Sequence, residues 1–348
     1  MIDSLQSLRF IFAIMIFLHH FPVEGKGLFF AGGPCGVSFF MILSGFVMSV
    51  GYERKVLSSS FNYISYLKKR LFRLYPLHLL CLIVPFIVLV SKSFTWNFIP
   101  SLLLIQSWIP INDVYFWGNA VAWCLSDMVF FYLCFPVLIR KMSVMTKYIL
   151  FKIMGVIVLC YILFLIFFPE NWIHPILYIS PLFRLIDFVI GILLYKLYQY
   201  SEKCNVNGRI IQLSFMTKSI VELIVVLLLV VMLIICPLLP DQFIYASYWW
   251  FAMIPLIFSF AIFNKSGGVI SYILNNKIMV FFGEFSFSFY MIHALGIGCL
   301  TSILDKYNVH LQWPYLLLIM FITIIIVSYF IYNYFEKPIA SYLNKKYA

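Results

Sequence analysis

Long apolar stretches, each close to the length a helix needs to cross about 30 Å of hydrocarbon, recur from one end of this 348-residue chain to the other. Inside such a solvent every backbone amide must find its partner within the protein, so only helices or closed barrels serve. The stretches are continuous rather than alternating, which selects helices. Composition agrees, because a chain 64% hydrophobic and 11% charged cannot keep that much apolar surface inside a soluble domain of this size. The expected fold class is all-α: a polytopic transmembrane helical bundle, one domain over residues 1–348. Ten spans are predicted, near 8–22, 34–50, 74–92, 119–139, 148–168, 179–199, 219–237, 247–263, 280–302 and 314–334. Segment 94–118, with Trp96, Pro100, Trp108, Pro110 and Trp117, reads as a re-entrant or interfacial piece.

The formal charge of +11 points to membrane topology rather than to nucleic acid. Arg54, Lys55, Lys68, Lys69, Arg70 and Arg73 share one loop, Arg140, Lys141, Lys147 and Lys152 the next, and Lys196, Lys203, Arg209 and Lys218 a third. Lys265, Lys277, Lys337, Lys345 and Lys346 extend the set, whereas the alternate loops hold only Lys26, Lys92 and Lys306. By the positive-inside rule the basic set is cytosolic and so are both termini. The first span lacks a small-residue cleavage site and reads as a retained helix. Eight scattered cysteines without a C-x-x-C pair suggest neither a disulfide framework nor a metal site.

Polar side chains within the spans carry the functional information, since each is costly there and turns toward a cavity or a partner. Arg9 and His20 are eleven residues apart, which returns a helix to within roughly 20° of the same face after a rise of about 16 Å. His19 points about 80° away from Arg9 by the same count. Alone, the pair is better read as a membrane-end anchor and a hydrogen-bonded structural histidine than as a functional pair. Further along, span two reads Gly36-Val37-Ser38-Phe39-Phe40-Met41-Ile42-Leu43-Ser44-Gly45-Phe46, and the loop after it carries Arg70 and Arg73 ahead of Tyr75-Pro76. Then come Trp123 with Leu125, Asp127, Phe131 and Tyr132; Arg184 with Asp187 and Gly191; Ser286, Tyr290 and His293; and Glu336-Lys337-Pro338.

In this order, over residues 5 to 338, these motifs resemble the membrane-bound acyltransferase-3 family. That family shows an Arg-x10-His first helix, a glycine-led F-F-x-x-S-G-F second helix and an R-x-x-R-x-x-P loop. It also shows a W-x-L-x-E-x-x-F-Y element and a late S-x-x-x-Y-x-x-H helix. Gln6 stands where the family often has aspartate, Ser38 replaces a common acidic position, and Asp127 replaces the usual glutamate. The resemblance implies transfer of an acyl group, usually acetyl, from coenzyme A to a carbohydrate hydroxyl, often on O-antigen, capsule or exopolysaccharide of a bacterial cell. The expected setting is the bacterial cytoplasmic (inner) membrane. Acyl-coenzyme A is then a donor substrate rather than a resident cofactor, and the acceptor is a polysaccharide or a lipid-linked oligosaccharide.

Against that chemistry His20 is the expected base, because a neutral imidazole suits proton removal from an alcohol near pH 7. Arg9, Arg70 and Arg73 are the expected ligands of the coenzyme phosphates; Arg70 and Arg73, three apart, share a helical face, and guanidinium forks suit phosphate oxygens. Ser44, Ser286 and Tyr290 offer hydroxyl donors for a developing oxyanion, although buried serines commonly bond their own helix backbone. His293 reads as a cavity-lining group or as a packed histidine. Asp127 and Arg184 are opposite charges at span depth, while Arg184 can also pair locally with Asp187. Two other classes fit ten spans with buried charge: a transporter or flippase of a lipid-linked sugar, and a non-catalytic component of a polysaccharide assembly complex. The first predicts inverted repeats, which the chain lacks, and the second predicts loss of the Arg-His pair or the Arg-x-x-Arg loop, which are present.

Overall fold

The computed structural model describes residues 2–23, 26–88, 95–167, 169–204, 208, 212–245 and 247–347. Lys92 and Arg209, two of the loop cations above, lie outside them. The described chain is helical apart from turns and one short hairpin, in which strand β1 (Pro22–Val23) pairs antiparallel with β2 (Lys26–Gly27). In chain order the helices are α1 (Asp3–His20), α2 (Gly32–Val56), α3 (Tyr63–Val88), α4 (Phe98–Leu102), α5 (Asn112–Tyr115), α6 (Trp123–Ser143), α7 (Lys147–Phe167), α8 (Glu170–Trp172) and α9 (Pro181–Lys203). They continue as α10 (Phe215–Ile235), α11 (Asp241–Ile244), α12 (Ser247–Phe263), α13 (Val269–Leu274), α14 (Lys277–Glu284), α15 (Ser286–Lys306), α16 (Trp313–Ile331) and α17 (Lys337–Tyr347).

Among the described residues eight segments are long and apolar enough to cross a membrane: Gly32–Val56, Trp123–Ser143, Tyr148–Phe167, Ile173–Lys203, Phe215–Leu238, Asp241–Phe263, Ser286–Lys306 and Trp313–Tyr347. The first and third expected spans are helices, α1 and α3, but are not among the eight. For α1 the reason is polarity, since it places Asp3, Arg9, His19 and His20 within 18 residues; the third expected span runs to residue 92, and its end from 89 on lies outside the described residues. The ninth expected span, 280–302, is displaced, because the helix breaks at Phe285 and restarts as α15. Segment 95–118 is no span; it folds as short helical turns that bury Ser101, Gln106 and Ser107. On α7 and α10, Leu159, Ile166, Phe167, Leu223, Ile224 and Ile234 are exposed. Apolar exposure on that scale belongs against lipid rather than water, as in an integral membrane protein.

The chain divides into two compact units, the first made of Met1–Phe12, Pro34–Phe61 and Cys134–Glu284, the second of Ala13–Gly33, Asn62–Leu133 and Phe285–Ala348. Helices α1, α2 and α6 each begin in one unit and end in the other. In the first unit α2 and α9 meet backbone to backbone. A Cβ at Gly45 would stand 2.0 Å from the Phe188 carbonyl oxygen, and one at Gly191 equally close to that of Ile42. Small residues permit such approach where lipid gives helices no hydrophobic reason to associate. In the second unit α15 packs on α16 and α3, which fixes the face of α15 that matters below.

Candidate active site

The C-terminal end of α1 is held by the turn that follows it. A Cβ at Gly27 would lie 1.9 Å from the His19 carbonyl oxygen, and one at Gly33 would lie 2.7 Å from His19 Cδ2. Only glycines at these two positions let the hairpin and the start of α2 close on the helix end. His19 is captured by that closure: its Nδ1 lies 2.8 Å from the Phe30 carbonyl, and its ring sits against Gly33. His20, next in the chain, is exposed, and the two rings stand edge to face with centroids 5.0 Å apart.

The partner of His20 comes from α15. His293, fully buried, places Nε2 3.2 Å from His20 Nδ1, and its own Nδ1 lies 2.6 Å from the Tyr290 carbonyl. A carbonyl oxygen only accepts, so His293 carries its proton on Nδ1 and presents a lone pair at Nε2. His20 Nδ1 lies 2.9 Å from the Ile16 carbonyl, so it too bears the proton and shares it between Ile16 and His293. The lone pair of neutral His20 is thereby assigned to Nε2. Among the described residues that atom has no hydrogen-bond partner. An exposed imidazole whose tautomer is fixed from behind and whose outward nitrogen is unshared has the form of a general base.

Ser286, Tyr290 and His293 recur at positions i, i+4 and i+7 of α15, one stripe of the helix, and all three are buried. The Tyr290 hydroxyl donates to the Val121 carbonyl at 2.9 Å, so its proton is committed to the backbone rather than to an oxyanion. Ser286 opens the helix two turns before His293. A neighbouring segment anchors this stripe: Asn119, buried, donates to the Met291 carbonyl at 2.8 Å, after Gly118 turns the chain at φ +75°. Ser288 donates to the Glu336 carboxylate and ties α15 to the turn before α17. Asn119 and the Val121 carbonyl were not among the expected site residues; the Gly-Asn pair within an apolar stretch is the signal that marks them, since both residues favour turns.

Other expected site residues lie elsewhere. Arg70 is half-buried and Arg73 exposed on α3, at the i,i+3 spacing that shares a face. Arg9, three turns before His20 on α1, donates to Gln6 Oε1 at 3.2 Å. Asp127 is fully buried on α6. Ser44, half-buried on α2, and Arg184 belong to the first unit. There Arg184 takes the local option: its Nη1 lies 2.9 Å from Asp187 and donates to the Tyr245 carbonyl at the same distance. Asp187 also accepts from Trp250 Nε1. Among the described residues no cluster of His, Cys, Asp or Glu is arranged to hold a metal ion.

The model of the acyltransferase domain of the acyltransferase-3 family matches residues 2–333, nearly the whole chain. The chain belongs to the acyltransferase-3 family. Acyl transfer is therefore the class of its chemistry. Of the motif residues that drew the resemblance, His20 and His293 come into contact, and Ser286 and Tyr290 share the stripe of α15 that carries His293. A curated relative, acyltransferase MdmB of Streptomyces mycarofaciens, is 30% identical over 167 residues. That alignment spans 41% of either chain. No solved structure matches.

Proposed function

We propose that this acyltransferase moves an acetyl group from acetyl-coenzyme A to a hydroxyl of a cell-surface carbohydrate such as O-antigen, capsule or exopolysaccharide, in the bacterial cytoplasmic membrane. The reading rests above all on the unshared Nε2 of exposed His20, held in register by His293. In the proposed reaction Nε2 takes the proton of the acceptor hydroxyl as its oxygen attacks the thioester carbonyl. The tetrahedral intermediate then expels the coenzyme thiolate, and the imidazolium returns the proton to that sulfur. Arg70 and Arg73 hold the coenzyme phosphates, for which a guanidinium fork is better shaped than an ammonium.

With both termini and the basic loops cytosolic, as the positive-inside rule requires, ten spans would include α1 and α3. Arg9 then sits at the cytosolic start of α1, and His20 lies about 16 Å further along it, past the midplane of a core about 30 Å thick. The narrow pantetheine arm threads the thioester inward, and the glycan hydroxyl approaches from the outer face. Proton NMR of purified surface polysaccharide from cells with and without the gene tests the reading. Gene-dependent, alkali-labile O-acetyl signals are expected. Identical spectra from cells that demonstrably make the protein would refute the carbohydrate acceptor.

A further inference from the structure

Helices α3, α15 and α16 of the second unit enclose a cavity of about 280 Å³. Leu80 and Cys81 of α3, Ile292, Gly296 and Cys299 of α15, and Ile324 of α16 form half of its wall, which presents no polar surface. On α15 these residues follow at helical spacing, one position round from the stripe that carries His293. Gly296 makes the room, for a Cβ there would lie 2.8 Å from Ile324 Cγ1.

A void of this kind deprives its lining of dispersion contacts, and an apolar lining offers water nothing to bond. An engineered apolar cavity of about 150 Å³ stays dry and takes benzene, so this one admits a hydrocarbon of roughly twice that size. Its mouth identifies the source. Val327, itself part of the wall, is 39% exposed, and Ile83, Ile303, Ile326 and Phe330 on the same three helices are each about half exposed. The cavity is thus continuous with the apolar belt that faces lipid. Thr323 of α16 also lines the cavity, but no polar surface is exposed there to receive a thioester or a carboxyl. We infer that this cavity is a hydrocarbon-chain site, filled sideways from the bilayer by one acyl chain of a membrane phospholipid. The chain packs behind the face of α15 that presents His293, and its binding does not depend on which acceptor the enzyme acylates.

The test is photo-crosslinking of the full protein in nanodiscs containing a phospholipid with a diazirine midway along one acyl chain, followed by peptide mapping. Labelling of residues 80–84 and 292–300 is expected severalfold above that of the exposed face of α10 around Ile224 and Val231. Gly296→Leu, which fills the cavity, should bring pocket labelling down to the level of α10 and leave α10 unchanged. Pocket labelling of the native chain no stronger than that of α10 would overturn the assignment, whether or not the variant folds. So would pocket labelling that survives in folded Gly296→Leu. Displacement of the label by added long-chain acyl-coenzyme A, with α10 labelling intact, would give the site to a substrate and overturn the phospholipid.

Discussion

The two units treat buried polarity differently. In the first, charges are matched within the fold: Arg184 pairs with Asp187, Lys196 pairs with Glu53, and Glu222 accepts from the backbone amides of Gly268, Ile270 and Ser271 at the start of α13. Each is turned inward onto protein, where a low dielectric makes both the pairing and its loss expensive. In the second unit the His20–His293 pair ends on an exposed ring with an unshared nitrogen. Closed networks of the first kind hold helices together, whereas an open one has something to offer a substrate. The contrast separates polarity spent within the fold from polarity left open to a ligand, by a criterion of connection rather than of burial alone.

Substitutions can break or sharpen that contrast. The largest effect on the fold is expected from Asp187→Ala, which strands the Arg184 guanidinium and should cost about 3–5 kcal/mol. Thermal melting in detergent should fall steeply and membrane abundance with it, while the double change Arg184→Met with Asp187→Leu should recover much of the loss. Next come Arg70→Ala and Arg73→Ala, which should raise the Kd for acetyl-coenzyme A with melting temperature held. Lysine at either site should restore only part, because a point charge lacks the fork. Unchanged donor affinity in both alanine variants would return these cations to a purely topological role.

His293→Leu removes the acceptor for His20 Nδ1–H and leaves the Ile16 carbonyl. The loss of one hydrogen bond of ordinary size, about 1.4 kcal/mol, should lower kcat about tenfold at unchanged KM. A rise in KM alone would place His293 in substrate binding instead. The smallest effect is expected from Tyr290→Phe, whose hydroxyl serves the Val121 carbonyl. It should cost about 1–3 kcal/mol of stability, the penalty for a buried carbonyl left unpaired, and little rate. A fall in kcat of about a hundredfold or more, the size associated with an oxyanion donor, would show that the tyrosine turns to the reacting carbonyl during the cycle.

Much of the fold is legible in the sequence, for physical reasons that differ by residue. Membrane helices announce themselves by length and apolarity, so eight of ten expected spans correspond to segments that meet both tests. The choice of His20 over His19 follows from 100° per residue, and the structure places the two rings edge to face. The contact between His20 and His293 crosses 273 residues, and no local periodicity encodes it. Nor does sequence reveal that Tyr290 spends its hydroxyl on a backbone carbonyl, since every carbonyl looks alike in one-letter code. The break at Phe285 escaped for a related reason: the hydropathy of 280–302 is continuous, and helix ends within apolar stretches are set by packing.

The account stands on His20 as the base, and the rate of acyl transfer in paired variants tests it most directly. Purified His20→Ala and His19→Ala, matched for amount and melting temperature, would be given labelled acetyl-coenzyme A and the acceptor glycan, and the initial rates compared with that of the unaltered protein. Removing a general base costs about 10²- to 10⁴-fold, so His20→Ala should lose at least about a hundredfold, whereas His19→Ala should keep most of its rate. Equal activity in the two variants, or loss confined to His19→Ala, would contradict the account.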